Sequence, residues 1–158
     1  ELNNSHFLLL HRWLNNKHVR TVWDGPQSSD AIIKKYQNQI YSSHIFSFIV
    51  FWNDTPFGFI QSYHACKVES GWWEDEPIGT WGVDFFIGEV SFLKKGHGSK
   101  ILTQFTDDLL SNPNIKKIIS DPSPSNKGAI RSLQLAGFRN QKVIKTPDGK
   151  ALLMTKLK

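Results

Sequence analysis

The sequence predicts an α/β fold, an α+β sandwich, on three observations. Apolar residues near the start recur at helical spacing. A central run of branched and aromatic residues is interrupted by a tight-turn tetrapeptide. The last third alternates helical and extended patterns. Element by element, Phe7 to Leu14 sets Phe7, Leu10 and Leu14 on one helical face. Ser29-Asp30 supplies N-caps for a second helix reaching about Tyr41 and carrying Ile32, Ile33, Tyr36 and Ile40. Ile45 to Trp52 reads as a strand, Asn53-Asp54-Thr55-Pro56 turns it, and Phe57 to Ala65 returns as its hairpin partner. Gly79 to Ile87 is a further strand, buried on both faces. Gly96 to Leu110 is a helix entered through glycines, followed by a short strand from Ile115 to Ser120. Ser125 to Ala136 is a helix ended by Gly137 as C-cap, and Phe138 to Ile144 and Lys150 to Lys156 form a hairpin around Pro147-Asp148-Gly149.

At 158 residues the chain fits one domain, and no linker, repeat or low-complexity tract divides it. It lacks an initiating Met and a strand before Phe7, so N-terminal residues are expected to be missing. No apolar run approaches the ~20 residues of a membrane span, and no secretory leader pattern opens the chain. A single cysteine, Cys66, excludes an internal disulfide and a cysteine-based zinc site. The six histidines show no paired metal spacing, so no metal is expected. These features point to a cytoplasmic protein.

The net charge of +5 conceals a split: 6 Lys/Arg against 10 Asp/Glu up to Leu93, then 13 against 4 from Lys94 onward. From Val68 to Leu93 there are six carboxylates and no Lys or Arg. An acidic front half suits a cation and a basic back half suits phosphates, although solvated surface accounts for part of the lysine excess. Leu93-Lys94-Lys95-Gly96-His97-Gly98-Ser99 joins a strand to a helix. Glycines there let backbone approach a ligand, and free N–H groups at a helix start favour an anion; the alternative is a simple turn. The loop is neither a Walker motif nor a dinucleotide fingerprint.

A strand, a basic glycine pair and a long helix resemble the acetyl-CoA pyrophosphate loop of the GCN5-related N-acetyltransferases. The likeness continues in Asn126, Ala129-Ile130-Arg131 and Ala136-Gly137-Phe138, though the family usually has Gln or Arg where Leu93 stands. A narrower resemblance is to aminoglycoside 6'-N-acetyltransferases. It is carried by Pro56-Phe57-Gly58-Phe59-Ile60-Gln61-Ser62-Tyr63, Gly71-Trp72-Trp73-Glu74, Gly82-Val83-Asp84, Asp121-Pro122-Ser123-Pro124-Ser125-Asn126 and Thr146-Pro147-Asp148-Gly149. The resemblance implies one acetyltransferase domain over 1–158, with a mixed, mostly antiparallel central sheet flanked by helices and its first strand missing. It also implies acetyl-CoA as co-substrate and a cationic small-molecule amine as acceptor, with neither nucleic acid nor membrane as partner. Acyl transfer to an amine needs a neutral amine, a stabilised carbonyl oxygen and a departing thiolate.

By the resemblance, Asp84 is the catalytic acid-base residue, binding the ammonium and taking its proton directly or through water. A carboxylate of pKa ~3.9 is a poor base for an amine unless burial raises it. The alternative is a strand-end Asp capping a turn. Backbone N–H groups of Phe85, Phe86 and Ile87 are implied for the thioester oxygen, and Lys94, Lys95, Gly96, His97, Gly98 and Ser99 for the pyrophosphate. Asn126 and Ala129 are implied for the pantetheine arm, with Asn126 alternatively the N-cap of its helix. Trp72 and Trp73, flanked by Glu74, Asp75 and Glu76, read as an exposed loop suited to a polycationic sugar, or as one core Trp beside an exposed one. Trp23, Tyr36, Asp121 and Asp148 match substrate positions of the family; Tyr36 alternatively belongs to a helix core and Asp148 to a hairpin turn. Where the family commonly carries a thiolate-protonating tyrosine, this chain has Leu133. Three functions compete: an aminoglycoside 6'-acetyltransferase, the same chemistry on hydroxylysine or a polyamine, and a non-catalytic acyl-CoA- or nucleic-acid-binding module.

Overall fold

The computed structural model describes residues 1–23, 28–68 and 71–158. The elements are α1 (Phe7–Asn15), α2 (Lys17–Arg20), α3 (Ser29–Ile40), β1 (Ile45–Trp52), β2 (Thr55–His64), β3 (Thr80–Ile87), α4 (His97–Ser111), β4 (Lys117–Ser120), α5 (Lys127–Leu135), β5 (Arg139–Thr146) and β6 (Gly149–Leu157). The strands form one mixed sheet in the order β1-β2-β3-β4-β6-β5. β3 and β4 are parallel, while β4–β6 and β6–β5 are antiparallel. The expected α+β sandwich is therefore the observed class. The chain divides into two compact units: Glu1–Gln61 with Phe85–Lys94, and Ser62–Asp84 with Lys95–Lys158.

In the first unit the helical period places Leu10, Trp13 and Leu14 of α1 inward, with Val19, Ile32, Tyr36, Phe59 and Phe86 completing an aromatic-rich core. Helix α3 starts one residue earlier than the sequence suggests. Ser28 is its N-cap, its hydroxyl accepting from the Ala31 N–H, and Asp30 sits in the first turn, where the helix dipole favours a negative charge. Helix α2 was not anticipated: four residues carry too few apolar positions to show a period, and only Val19 is buried. The β1–β2 hairpin turns at Asn53, whose φ of 50° is one that asparagine tolerates.

In the second unit α4 packs against α5 and β4, burying Leu102, Thr106, Leu110, Ile130 and Leu133 around Ile118, Ile119 and Met154. The buried Thr106 hydroxyl donates to the Leu102 carbonyl (2.7 Å) and accepts from Lys156 Nζ (2.8 Å), which also meets Asp107 (2.6 Å). Lys117 pairs with Glu76, which also accepts from the Thr80 hydroxyl. Among the described residues no helix is long and apolar enough to cross a membrane.

Candidate active site

The parallel register of β3 and β4 sets the geometry of the second unit's site. Thr80 pairs with Lys117, Trp81 with Ile118 and Gly82 with Ile119. Asp84 and Asp121 each lie two residues beyond the last of these pairs, near enough for the charge of Asp84 to act on Asp121. Asp84 lies within β3 rather than at its end. Asp121 follows the last residue of β4. Asp148 occupies the two-residue turn between β5 and β6, and the segment after Asp121 is tied to β6 through Leu152 N–H to the Pro122 carbonyl (2.9 Å).

Burial and like charge act together on this cluster. Removal from water, then the charges of Asp84 and Asp148, push the Asp121 carboxyl up to about 8, against its own backbone hydrogen bond. Tyr63, 7% exposed, is raised well above its ordinary range by burial and by Asp84 and Asp121, with the Trp73 side chain opposing. The Tyr63 ring lies on Gly82: a Cβ there would stand 2.1 Å from it. Sequence reasoning left Tyr63 outside the site. The signal available was a glycine inside an apolar strand, which marks close approach of another group.

The tryptophan pair departs from expectation. Trp73 is 5% exposed, with its indole N–H close to Tyr63 but short of full hydrogen-bond geometry, while Trp72 is half-buried. One core Trp with a partly exposed neighbour replaces the open aromatic loop, because Trp73 fills space beside Tyr63. The acidic stretch is also less open than its composition implies. Glu76 is paired with Lys117 and Glu89 with Arg12; Glu69 lies outside the described residues.

Tyr36 belongs to the first unit's core. It is 1% exposed and meets Phe59 edge-on at 5.5 Å, leaving no open surface for a substrate. Its spacing on α3 made the core role an alternative, and the structure takes that alternative. Trp23 is half-buried and packs edge-on against Phe59 (6.2 Å) and Phe86 (4.9 Å). Asp24, beside it, lies outside the described residues.

The glycine loop adopts a left-handed path, with Lys94 at φ 59° and Gly96 at φ 80°. Gly96 is the N-cap of α4, and no atom lies within 4 Å of where its Cβ would be. An open cradle, first-turn N–H groups without intrahelical partners, and Lys95 and Lys100 beside them suit a pyrophosphate. Lys94 holds a conformation that costs a non-glycine residue free energy, a kind of strain concentrated at ligand sites. His97 opens α4 and Gly98 is buried within its first turn. Asn126 is the N-cap of α5, its Oδ1 accepting from the Ala129 N–H (3.1 Å). That leaves its amide N–H groups and one further lone pair on Oδ1 for a ligand. Leu133 is 3% exposed. Cys66 is half-buried, and no described group of His, Cys, Asp and Glu could hold a metal.

A family model of the acetyltransferase (GNAT) domain matches residues 3–146. The chain is 35% identical over 151 residues to aminoglycoside N(6')-acetyltransferase type 1 of Klebsiella pneumoniae, covering 92% of this chain and 75% of that protein. The crystal structure of aminoglycoside acetyltransferase AAC(6')-Ib with coenzyme A superposes at a TM-score of 0.94, with 33% identity, 99% of this chain covered and 92% of that one. The same enzyme with coenzyme A and kanamycin gives 0.92, at the same identity and coverage. With this sheet topology, glycine loop and match over nearly the whole chain, the protein belongs to the GNAT acetyltransferases.

Proposed function

We propose that this chain transfers an acetyl group from acetyl-CoA to a primary amine of a polycationic amino sugar, the 6'-amine of an aminoglycoside, by direct attack with both substrates bound. The observation that carries this reading is the carboxylate pair Asp84 and Asp121, joined by Asp148 on the neighbouring turn. Like charges drawn together out of water are costly, and a substrate with several ammonium groups offsets their repulsion. The aminoglycoside substrates of the related enzymes support the same acceptor class.

An ammonium must lose a proton before its nitrogen can attack. Asp121, at about 8, is matched to that task as an ordinary carboxylate of ~3.9 is not. Asp84 beside it stays available to hold the cation. As the C–N bond forms and the C–S bond breaks, the nitrogen's proton passes to the carboxylate pair, directly or through a water, and the thiolate departs. The Phe85, Phe86 and Ile87 backbone is assigned to the developing oxyanion, worth several kcal/mol in comparable sites. Lys94, Lys95, Gly96, His97, Gly98 and Ser99 are assigned to the pyrophosphate, and Asn126 and Ala129 to the pantetheine arm. Leu133 donates no proton, so a thiolate whose conjugate acid has pKa ~8.5 leaves as the anion and is protonated by water.

Thiol release from acetyl-CoA, measured against aminoglycosides with and without a 6'-amine, hydroxylysine and polyamines, tests the reading. Fastest turnover is expected on the 6'-amino compounds. Turnover confined to hydroxylysine or a polyamine would reassign the substrate; cofactor binding with no turnover on any amine would overturn the enzyme.

A further inference from the structure

The backbone just beyond β3 is fixed from two sides within the first unit. The Asn16 amide donates to the Gly88 carbonyl at 3.0 Å. His18 Nε2 lies 2.9 Å from the Ile87 carbonyl; a carbonyl only accepts, so Nε2 carries the proton. The N–H groups of Gly88 and Glu89 both donate to the Phe57 carbonyl, at 2.8 and 3.1 Å. Two residues of one strand end thus oppose one residue of β2, which is the arrangement of a β-bulge. The peptides on either side of Gly88 are thereby hydrogen-bonded at both their oxygen and their nitrogen. Trp13 closes the assembly: its ring occupies the space a Gly88 Cβ would need, 2.2 Å away, and its indole N–H donates to Glu89 (2.8 Å).

We propose that Asn16 and His18 are positioning residues for the acyl donor, holding the bulge after β3 in the shape that presents the Phe85–Ile87 backbone to the thioester. The inference rests on the reading that this backbone receives the acetyl group. Its physical content is preorganisation: a strand end already hydrogen-bonded in its binding shape loses little freedom when the ligand arrives. Without the two side-chain donors, two carbonyls lose their partners, the bulge samples other shapes, and the donor must order it. Asn16 and His18 are half-buried and line an open groove of about 470 Å³ with Lys17, Thr21, Val90 and Leu93. Substitutions there cut into a rim rather than the core.

The test measures coenzyme A affinity by calorimetry, together with KM for acetyl-CoA and for the amine, in the full chain. Asn16→Ala and His18→Ala should each weaken coenzyme A binding and raise the acetyl-CoA KM about 10-fold, the scale of one lost hydrogen bond. The amine KM should stay within twofold. His18→Gln, which returns a donor near the Nε2 position, should recover most of the loss, and Asn16→Gln should not, because its amide lies one methylene too far out. Unchanged coenzyme A affinity in the folded Asn16→Ala and His18→Ala proteins and in the protein that combines them would overturn the inference. Loss of amine and cofactor affinity in equal measure, with no recovery in His18→Gln, would overturn it too, as the mark of general loosening. If the unaltered protein binds no coenzyme A, the functional reading fails and takes this inference with it; if it binds and the variants bind equally, only this inference fails.

Discussion

The bulge after β3 and the acid cluster around Asp121 solve opposite problems. At Ile87–Glu89 the carbonyls of Ile87 and Gly88 and the N–H groups of Gly88 and Glu89 are all matched, and Glu89 has both Arg12 and the Trp13 indole. Around Asp121 the balance is reversed: two further carboxylates and a buried phenol surround it, and each raises its affinity for a proton or has its own raised by it. Matched groups make a rigid platform. Crowded like charge stores free energy that a cation or a proton releases. On the proposed reading, the first device holds one substrate still and the second changes the protonation of the other.

The sharpest way to break the comparison is Asp84→Asn. The amide keeps the shape and loses the charge, so turnover should drop ~10²-fold or more while acetyl-CoA affinity stays near its original value. Steady-state kinetics with each substrate varied decides it, and undiminished turnover would make the cluster a bystander.

Next in size is the pH dependence of Asp121→Asn. In the unaltered protein kcat/KM for the amine should rise with pH toward about 8, as Asp121 loses the proton that blocks it. The variant should be slower and should lack that inflection. Stability runs the other way. A carboxyl whose folded pKa is raised binds more protons folded than unfolded between ~4 and 8, so unfolding free energy falls as pH rises through that window. Thermal melts at several pH values should show that decline in the unaltered protein and a flatter profile in Asp121→Asn.

A smaller effect sharpens the packing side. Gly82→Ala would drive a methyl into the Tyr63 ring, and overpacking of this kind costs ~1–3 kcal/mol. Calorimetry should register a melting temperature several degrees lower, with a larger fractional loss for the amine than for the cofactor. The smallest effect belongs to Glu89→Gln. Exposed ion pairs contribute little, so breaking its pairing with Arg12 should leave the amine KM within twofold at low and high salt. A large salt-dependent change would return Glu89 to the substrate's acidic surface.

Legibility in the sequence followed the range of the interaction. Helices α1, α3, α4 and α5 and the two hairpins are written in local periods and turn residues. Helix α2 is too short to have a period. The shift of the α3 cap from Ser29 to Ser28 turns on which of two adjacent serines reaches the Ala31 N–H. Asp84, Asp121 and Asp148 could be named from the resemblance, but their convergence depends on a parallel register between segments far apart in the chain. Of the two readings of the tryptophan pair, the acidic neighbours favour the open loop, whereas the burial of Trp73 beside Tyr63 depends on contacts distant in the chain. The donors of Asn16 and His18 carry no signal at all, since their partners are backbone carbonyls.

The three carboxylates enter the cluster from β3, from the end of β4 and from the β5–β6 turn. An unfolded chain scatters them, so it has no comparable affinity for a polycation. Such a ligand therefore binds the native state alone and raises its apparent stability by mass action, about 2.7 kcal/mol at a hundredfold excess over its dissociation constant. The amine acceptor then doubles as a reporter of correct assembly: a thermal shift on adding it would come from molecules in which the parallel β3–β4 pairing, a non-local contact that closes slowly, has already formed.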